Sequence, residues 1–487
     1  MFDVIVIGCG IAGAAAAYEL SKYRLSVAVL EKENDVACGA TKANSAIIHA
    51  GYDPEPGTLM AKLNAEGTEL AGQLFEQLDI PHRRCGSLVV AFSPEETAVL
   101  EELYGRGISN GVPGLELLGP EELRRLEPNL SKSAAGALLA KSAMIVSPWE
   151  YALALAETAV RNGTKLFLSS EVLGITRSAD SWQVLTRSGT YCARYVVNAA
   201  GINADVIHNM AAAPDFTITP DRGEYYLLDK SEGQCVSHVI FQCPSLKGKG
   251  TLVSPTVHGN LIVGPNNETP RGRDDVAVTG DGLAEVASKA RISVPDLNLR
   301  ANIRNFSGIR AVADKPDFII AEAPDAPGFI DIAGIKSPGL SAAPAIARYA
   351  LEILRAAGLT LTEKESFIAA RRRLRFAELD PREKTELVRK NPAYGQVVCR
   401  CETVTEGEII DALNSPIPPV TLDGVKRRCN PGMGRCQGGF CSPRVLQLLA
   451  EHHRMDPTEI LQDREGSVIL TGETKDSPVL QEVLHAV

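Results

Sequence analysis

The chain has 487 residues, 45% of them hydrophobic and 23% charged, with a formal net charge of −10. At about 150 residues per domain this length predicts roughly three compact units, and the negative balance argues against nucleic acid or anionic lipid as a general partner. No run of about 18 to 20 apolar residues occurs, so no direct membrane insertion is expected. No basic-flanked leader precedes the opening MFDVIVIG, so the expected compartment is the cytoplasm, with any membrane association going through partner subunits.

Taken in chain order, the first element is a strand, FDVIVI, followed at once by Gly8, Gly10 and Gly13 and by a helix starting at Ala12 or Ala14. Gly8 permits the tight turn, Gly10 lets a pyrophosphate approach the backbone at the helix N-terminus, and Gly13 allows close packing of helix on strand. The next strand, SVAVLE, ends in Glu31, 18 residues beyond Gly13, where a carboxylate accepts ribose hydroxyls. This order of strand, turn, helix, strand and acid predicts a dinucleotide site, and NAD and FAD share it. Two later segments favour FAD. YVVNAAG at 195–201 is a buried strand ending in small residues, and GIKSPGLSAAPAIA at 334–347 offers glycines and a helix start to a second part of a long ligand.

Strand-like runs alternate with amphipathic segments over 1–358, which predicts an α/β, Rossmann-like FAD-binding domain. The short strands EYYLLD, HVIFQC, TLVSPTV and NLIVGP, with GSLVVAF at 86–92, predict an interleaved antiparallel substrate domain. The expected FAD-binding pieces are about 1–80, 145–215 and 326–358, and the substrate pieces about 81–144 and 216–325. Residues 359–393, with Arg371, Arg372, Arg373 and Arg375, read as a solvated linker. A small helical iron–sulfur domain is expected over 394–450 and a C-terminal extension without a chemical signal over 451–487.

Eleven cysteines read as reduced thiols rather than a disulfide framework. Cys9, Cys38, Cys85, Cys192, Cys235 and Cys243 are scattered, whereas the remaining five lie between 399 and 441. Cys399 and Cys401 form one close pair, and Cys436 and Cys441 another. Four thiolates arriving as two pairs suit a tetrahedral zinc or a Cys₄ iron–sulfur cluster, and the one-residue spacing of the first pair favours iron–sulfur. Cys429 is then a fifth thiol outside the ligand set. Glycines 432, 434, 438 and 439 would bring backbone N–H groups to the sulfurs, and Lys426, Arg427, Arg428 and Arg435 would add positive charge.

The runs ATKANSAIIHAGYDPEPGTLMAKLNAEG, PDRGEYYLLD, LVSPTVHGNLIVGP, SGIRAVADKPDFII and GIKSPGLSAAP together resemble the D-amino-acid oxidase-like superfamily of FAD enzymes. Within it the likeness is to the anaerobic-type glycerol-3-phosphate dehydrogenases, with 2-hydroxyglutarate dehydrogenases as near relatives. KNPAYGQVVCRCETVTEGEI and GMGRCQGGFC resemble the bacterioferritin-associated ferredoxin-like 2Fe-2S domain. The resemblance implies a cofactor lining of Gly8, Gly10, Ala12, Gly13, Glu31, Lys32, Thr41, Asn44, Ser45, Val172, Ala200, Gly201, Gly334, Gly339, Leu340 and Ser341. It also implies His49 as the base beside the flavin and Arg310 as the clamp on an anionic substrate. Tyr52, Arg222, Tyr225 and His258 fall in matching substrate-binding segments, and Lys336 is placed near the flavin pyrimidine, where a cation would stabilise the reduced form.

The expected function is oxidation of sn-glycerol 3-phosphate to dihydroxyacetone phosphate, with electrons passing through the 2Fe-2S cluster to an acceptor flavoprotein or iron–sulfur subunit. The alternatives are a 2-hydroxyglutarate-like dehydrogenase, since the same base and clamp serve either small hydroxy anion, and an electron-transfer flavoprotein subunit with no substrate of its own.

Overall fold

A computed structural model describes residues 1–178, 180–244 and 250–473. The last stretch of the expected C-terminal extension, 474–487, lies outside the described residues. The chain divides into two compact units, one comprising Met1–Lys32 and Val36–Arg372, the other Glu33–Asp35 and Arg373–Val487.

In the first unit the apolar run of Phe2–Ile7 is buried at its last four positions. Such a run suits a strand covered on both faces, as parallel strands are. Phe2–Ile7 pairs in parallel with Val27–Leu30 on one side and with Gly189–Asn198 on the other, and Phe329–Ala333 joins parallel to Gly189–Asn198. The alanine-rich helix Ile11–Leu20 packs against the helices Pro148–Arg161 and Gly339–Ala356. Its small side chains permit that close approach.

Among the described residues a second sheet of eight strands draws its members from Ser87–Ala140 and Ile218–Ala313, so the interleaving expected from sequence is present. Its long edge pair, Ile218–Leu228 and Asn302–Ala313, is antiparallel, with Asp221 opposite Arg310, Gly223 opposite Gly308 and Tyr225 opposite Phe306. One pairing, Val239–Gln242 with Ser87–Ala91, is parallel. The Arg-rich stretch departs from the solvated reading over its first part. Arg371 is buried and its Nε donates to Glu157 at 2.7 Å, while Arg372 Nη1 donates to the carbonyl of Glu76 at 3.1 Å. Carboxylate and carbonyl acceptors on helices far upstream in the chain absorb these charges.

The second unit packs the helices Glu406–Leu413, Leu422–Cys429 and Ser442–His453 around Ile409, Leu413, Val425 and Leu449. Thr405 and Glu408 form a capping box that starts the first of these helices, and Cys441 occupies the N-cap position of the last. Among the described residues no helix is long and apolar enough to cross a membrane.

Candidate functional site

The glycine turn is shaped by contacts no other residue would allow. Gly8 has φ +94°, and a Cβ on it would stand 2.6 Å from the Ala199 carbonyl oxygen. A Cβ on Gly13 would fall 2.0 Å from the Gly8 carbonyl oxygen. Gly10 differs: its Cβ would meet only the Thr41 hydroxyl, at 3.3 Å, and it is the N-cap of Ile11–Leu20 without a side-chain cap. Space is therefore left over the first helical turn, including Ala12, where backbone N–H groups and the helix dipole favour a pyrophosphate. Thr41 Oγ1 accepts the Ile11 N–H at 2.9 Å, and Glu31, buried at the end of its strand, accepts the Cys9 N–H at 2.7 Å through Oε2. Val172 is buried at the start of its strand, Ala200 N–H donates to Asn198 Oδ1 at 3.3 Å, and Gly201 takes φ +59°. Lys32 is exposed, with Nζ 3.7 Å from Asp274.

Two segments meet at His49. Its N–H donates to Ser341 Oγ at 2.7 Å, and its Nε2 lies 3.3 Å from the Ser337 hydroxyl. Ser341 sits in the first turn of Gly339–Ala356, together with Leu340, after Gly334 at φ +66°. The half-buried His49 ring lies against Phe241, centroids 5.6 Å apart. His49, Gly51, Tyr52, Asp53, Pro54, Ser337 and Pro338 line one pocket. Tyr52 is buried and its hydroxyl pKa is pushed far up by that burial, so it stays protonated and serves as a donor. Lys336 is half-buried on the same loop.

The edge strands carry a second group. Asp221, Gly223 and Tyr225 alternate on one face opposite Arg310, Gly308 and Phe306. Arg310 Nε lies 2.8 Å from Asp221 Oδ2, and Nη2 donates to Asn267 Oδ1 at 2.6 Å and to the Asn266 carbonyl at 3.1 Å. Tyr225 stacks on Phe306 at 4.8 Å and its hydroxyl is 3.3 Å from that of Ser45. Burial raises the Tyr225 pKa, and Arg310 opposes the rise. Gly308 brings this face onto the loop before His49, because a Cβ there would sit 1.8 Å from the Ala43 carbonyl oxygen. Asn44 braces that loop, its Nδ2 donating to the Thr41 carbonyl at 2.9 Å and its Oδ1 accepting the Ala46 N–H at 2.7 Å.

Two predicted substrate residues are not brought to either group. Arg222 points to the opposite sheet face, buried between Glu224 at 3.2 Å and Asp275 at 3.1 Å. His258 stacks on Trp149, with Nε2 3.4 Å from the fully buried Glu150. Sequence reading missed Gly308, Asp221, Phe241 and Ser337. The glycine two residues before Arg310 was the available signal for a close approach.

In the second unit the four expected cysteines come together as two pairs. Cys401 and Cys436 sulfurs are 3.7 Å apart, and the Cys399 and Cys441 side chains are in hydrogen-bond contact. At a metal–thiolate bond of roughly 2.3 Å, two tetrahedral ligands of one ion stand about 3.8 Å apart. The Cys401–Cys436 separation therefore fits two ligands of one iron. The Cys441 thiol, with the N–H groups of Gly432 and Glu402, lowers Cys399 to about 6 against the effect of burial, and Cys441 rises correspondingly. N–H groups of Phe440 and Gly438 face the Cys436 sulfur. Cys429 instead donates its thiol to the Val425 carbonyl at 3.5 Å, as a helical side chain does. Arg427 and Arg428 are committed to buried Asp35, each at 2.9 Å, and Arg427 also to Asp463 at 2.7 Å.

Residues 3–353 match the FAD dependent oxidoreductase family, and 397–451 match the BFD-like [2Fe-2S] binding domain. A glycerol 3-phosphate dehydrogenase of Caloramator mitchellensis is 51% identical over 476 residues, covering 98% of this chain and 99% of the relative. A glycerol 3-phosphate oxidase of Mycoplasma pneumoniae is 34% identical over 72% of this chain and 94% of its own. The dithionite-reduced L-alpha-glycerophosphate oxidase of Mycoplasma pneumoniae, solved with FAD bound, superposes with a TM-score of 0.73 at 32% identity, over 77% of this chain and 98% of that one. The chain thus belongs to the FAD dependent oxidoreductase family, as an FAD enzyme that carries a second, 2Fe-2S cofactor in its C-terminal domain.

Proposed function

We propose that the chain oxidises sn-glycerol 3-phosphate to dihydroxyacetone phosphate and delivers the electrons, by way of the cluster, to a partner protein, an acceptor flavoprotein or iron–sulfur subunit. The observation that carries the reading is the pairing of a histidine pocket with a tethered arginine on the sheet face packed beside the same loop. Likeness along the whole chain to a glycerol 3-phosphate dehydrogenase supports the choice of substrate.

FAD, when bound, supplies the hydride acceptor for the alcohol carbon. Gly8, Gly10, Ala12, Gly13, Glu31 and Thr41 would hold its nucleotide half, and Asn44, Ser45, Gly334, Gly339, Leu340 and Ser341 the flavin half. His49 takes the hydroxyl proton as the C–H bond is lost. Its backbone is pinned by Ser341 and its Nε2 is steadied by the Ser337 hydroxyl, so the ring is oriented before substrate arrives. Arg310 binds the phosphate with its planar fork, and Asp221 and Asn267 fix the plane of that fork. Tyr225 and Tyr52 donate from their protonated hydroxyls. Cys399, Cys401, Cys436 and Cys441 would hold the 2Fe-2S cluster, which supplies one-electron carriage between a two-electron flavin and the partner.

The test is bleaching of the flavin band without oxygen by a panel of hydroxy anions. Rapid bleaching by glycerol 3-phosphate, lost in Arg310→Ala, is the expected result. Bleaching by 2-hydroxyglutarate alone would overturn the choice of substrate, and none by any hydroxy anion would favour an electron-transfer subunit.

A further inference from the structure

The two sulfur pairs of the C-terminal unit are unequal in their access to solvent. Cys399 and Cys441 are 1% and 3% exposed, whereas Cys401 is exposed and Cys436 half-buried. Next to the outer pair, on the loop between Cys436 and Cys441, stands Phe440. At 87% it is more exposed than any other large hydrophobic side chain among the described residues. The loop does not need this side chain. Its backbone N–H is what meets the Cys436 sulfur, and any residue other than proline supplies that. Val397, 46% exposed, begins the strand that leads into Cys399, and Arg400 is exposed between the two ligands of that segment. An aromatic left in water beside a redox centre, with an exposed apolar and an exposed cationic residue on the segment that carries the other two ligands, is the composition of an interface anchor rather than of ordinary surface.

We propose that Cys401, Cys436 and Phe440 form the electron-exchange edge of this unit, and that it docks a small acidic one-electron carrier protein whose redox group is rimmed by apolar side chains, with Phe440 as the anchoring contact. The inference rests on the reading that electrons leave through the cluster. It adds where they leave and what receives them. Electron transfer falls steeply with distance, so a carrier must approach the sulfur pair that reaches the surface, and the aromatic at that pair is then buried. Arg400 favours a carrier of negative charge and sets the salt dependence of encounter.

The probe is flavodoxin, an acidic carrier with an apolar rim around its flavin, added in oxidised form to the full-length holoprotein under glycerol 3-phosphate without oxygen. Each alcohol oxidised releases two electrons, so two flavodoxins become semiquinone, each taking up one proton. Phe440→Ala is expected to slow semiquinone formation at least about tenfold, as loss of a central aromatic anchor does. Flavin bleaching by substrate and the electron paramagnetic resonance spectrum of the reduced cluster should be unchanged. Arg400→Glu should slow the same step and flatten its salt dependence. Glu451→Arg, on the helix Ser442–His453 about 15 Å along its axis from Cys441, should leave it unaltered. Parent rates in Phe440→Ala, or a slowing accompanied by an altered cluster spectrum, would overturn the docking proposal. Failure of a parent with a reduced cluster to reduce flavodoxin would overturn the docking proposal too, whereas transfer by Cys436→Ser as fast as by the parent would overturn the underlying reading.

Discussion

Gly308→Ala puts a methyl carbon where the Ala43 carbonyl oxygen already stands, 1.8 Å from the Cβ position. An ordinary carbon–oxygen contact needs roughly 3.2 Å, so strand and loop must separate by about 1.4 Å unless other bonds give way. The obstacle is backbone, which no rotamer change relieves. The Ser45–Tyr225 contact, at 3.3 Å already long, lies beside this point and would open. Overpacking of this kind costs about 1–3 kcal/mol of stability, and a misplacement near 1 Å at a reacting centre lowers turnover by about a hundredfold. The assay is paired: thermal unfolding of the holoprotein, and kcat/KM for glycerol 3-phosphate with FAD content measured in each preparation. Gly105→Ala is the control, a helical glycine with nothing within 4 Å of its Cβ position, and should be neutral or slightly stabilising. If Gly308→Ala matched the parent in both measurements, the close approach of strand to loop would be wrong and with it the joining of the two groups.

Arg222→Met should lower stability by about 3–5 kcal/mol, because Glu224 and Asp275 lose the cation between them, while KM for glycerol 3-phosphate stays near the parent value in the folded fraction. A large rise in KM without loss of stability would return Arg222 to the substrate site. Asp35 is buried, which raises its pKa, but Arg428 and Arg427 outweigh burial and hold it at about 2. Its stabilisation is full above the ordinary carboxylate range near pH 4 and fades as pH falls through about 2. Asp35→Asn should therefore remove about 3–5 kcal/mol at pH 7 and flatten the acid side of the unfolding curve between those limits, as followed by thermal melts across pH. Tyr225→Phe loses the hydroxyl contact with Ser45 but keeps the stack on Phe306, so a two- to tenfold fall in kcat/KM with unchanged FAD content is expected, from about 0.5–1.5 kcal/mol for one hydrogen bond.

The glycine turn was legible because strand, glycines, helix and acid all lie within the first 31 residues, although the carbonyl that excludes a side chain at Gly8 belongs to Ala199. The four thiols were legible from their spacing, but their pairing was not, because Cys401 meets Cys436 and Cys399 meets Cys441, each spatial pair joining one cysteine from each close pair of the sequence. Arg222 was not, because strand parity decides the face a side chain takes, and Arg222 and Arg310 sit in neighbouring strands with opposite outcomes. That register forms across a chain separation of nearly 90 residues. Arg427 and Arg428 were read as charges around the cluster, yet their carboxylate partner is Asp35, 392 and 393 residues earlier. Such a pairing leaves no periodic trace in sequence. The two-unit division has the same character, for Glu33–Asp35 belongs to the second unit although it follows Glu31 almost directly.

Anaerobic mixing of the holoprotein with glycerol 3-phosphate tests whether electrons taken from the alcohol pass from flavin to the thiolate-held cluster. Flavin absorbance is followed in the stopped flow, and samples frozen at intervals are read by electron paramagnetic resonance. The proposed electron path predicts flavin bleaching followed by a reduced 2Fe-2S signal in the parent, and bleaching without that signal in Cys436→Ser, whose harder oxygen ligand suits the cluster poorly. A bleached flavin in the parent with no reduced cluster signal at any time would contradict it.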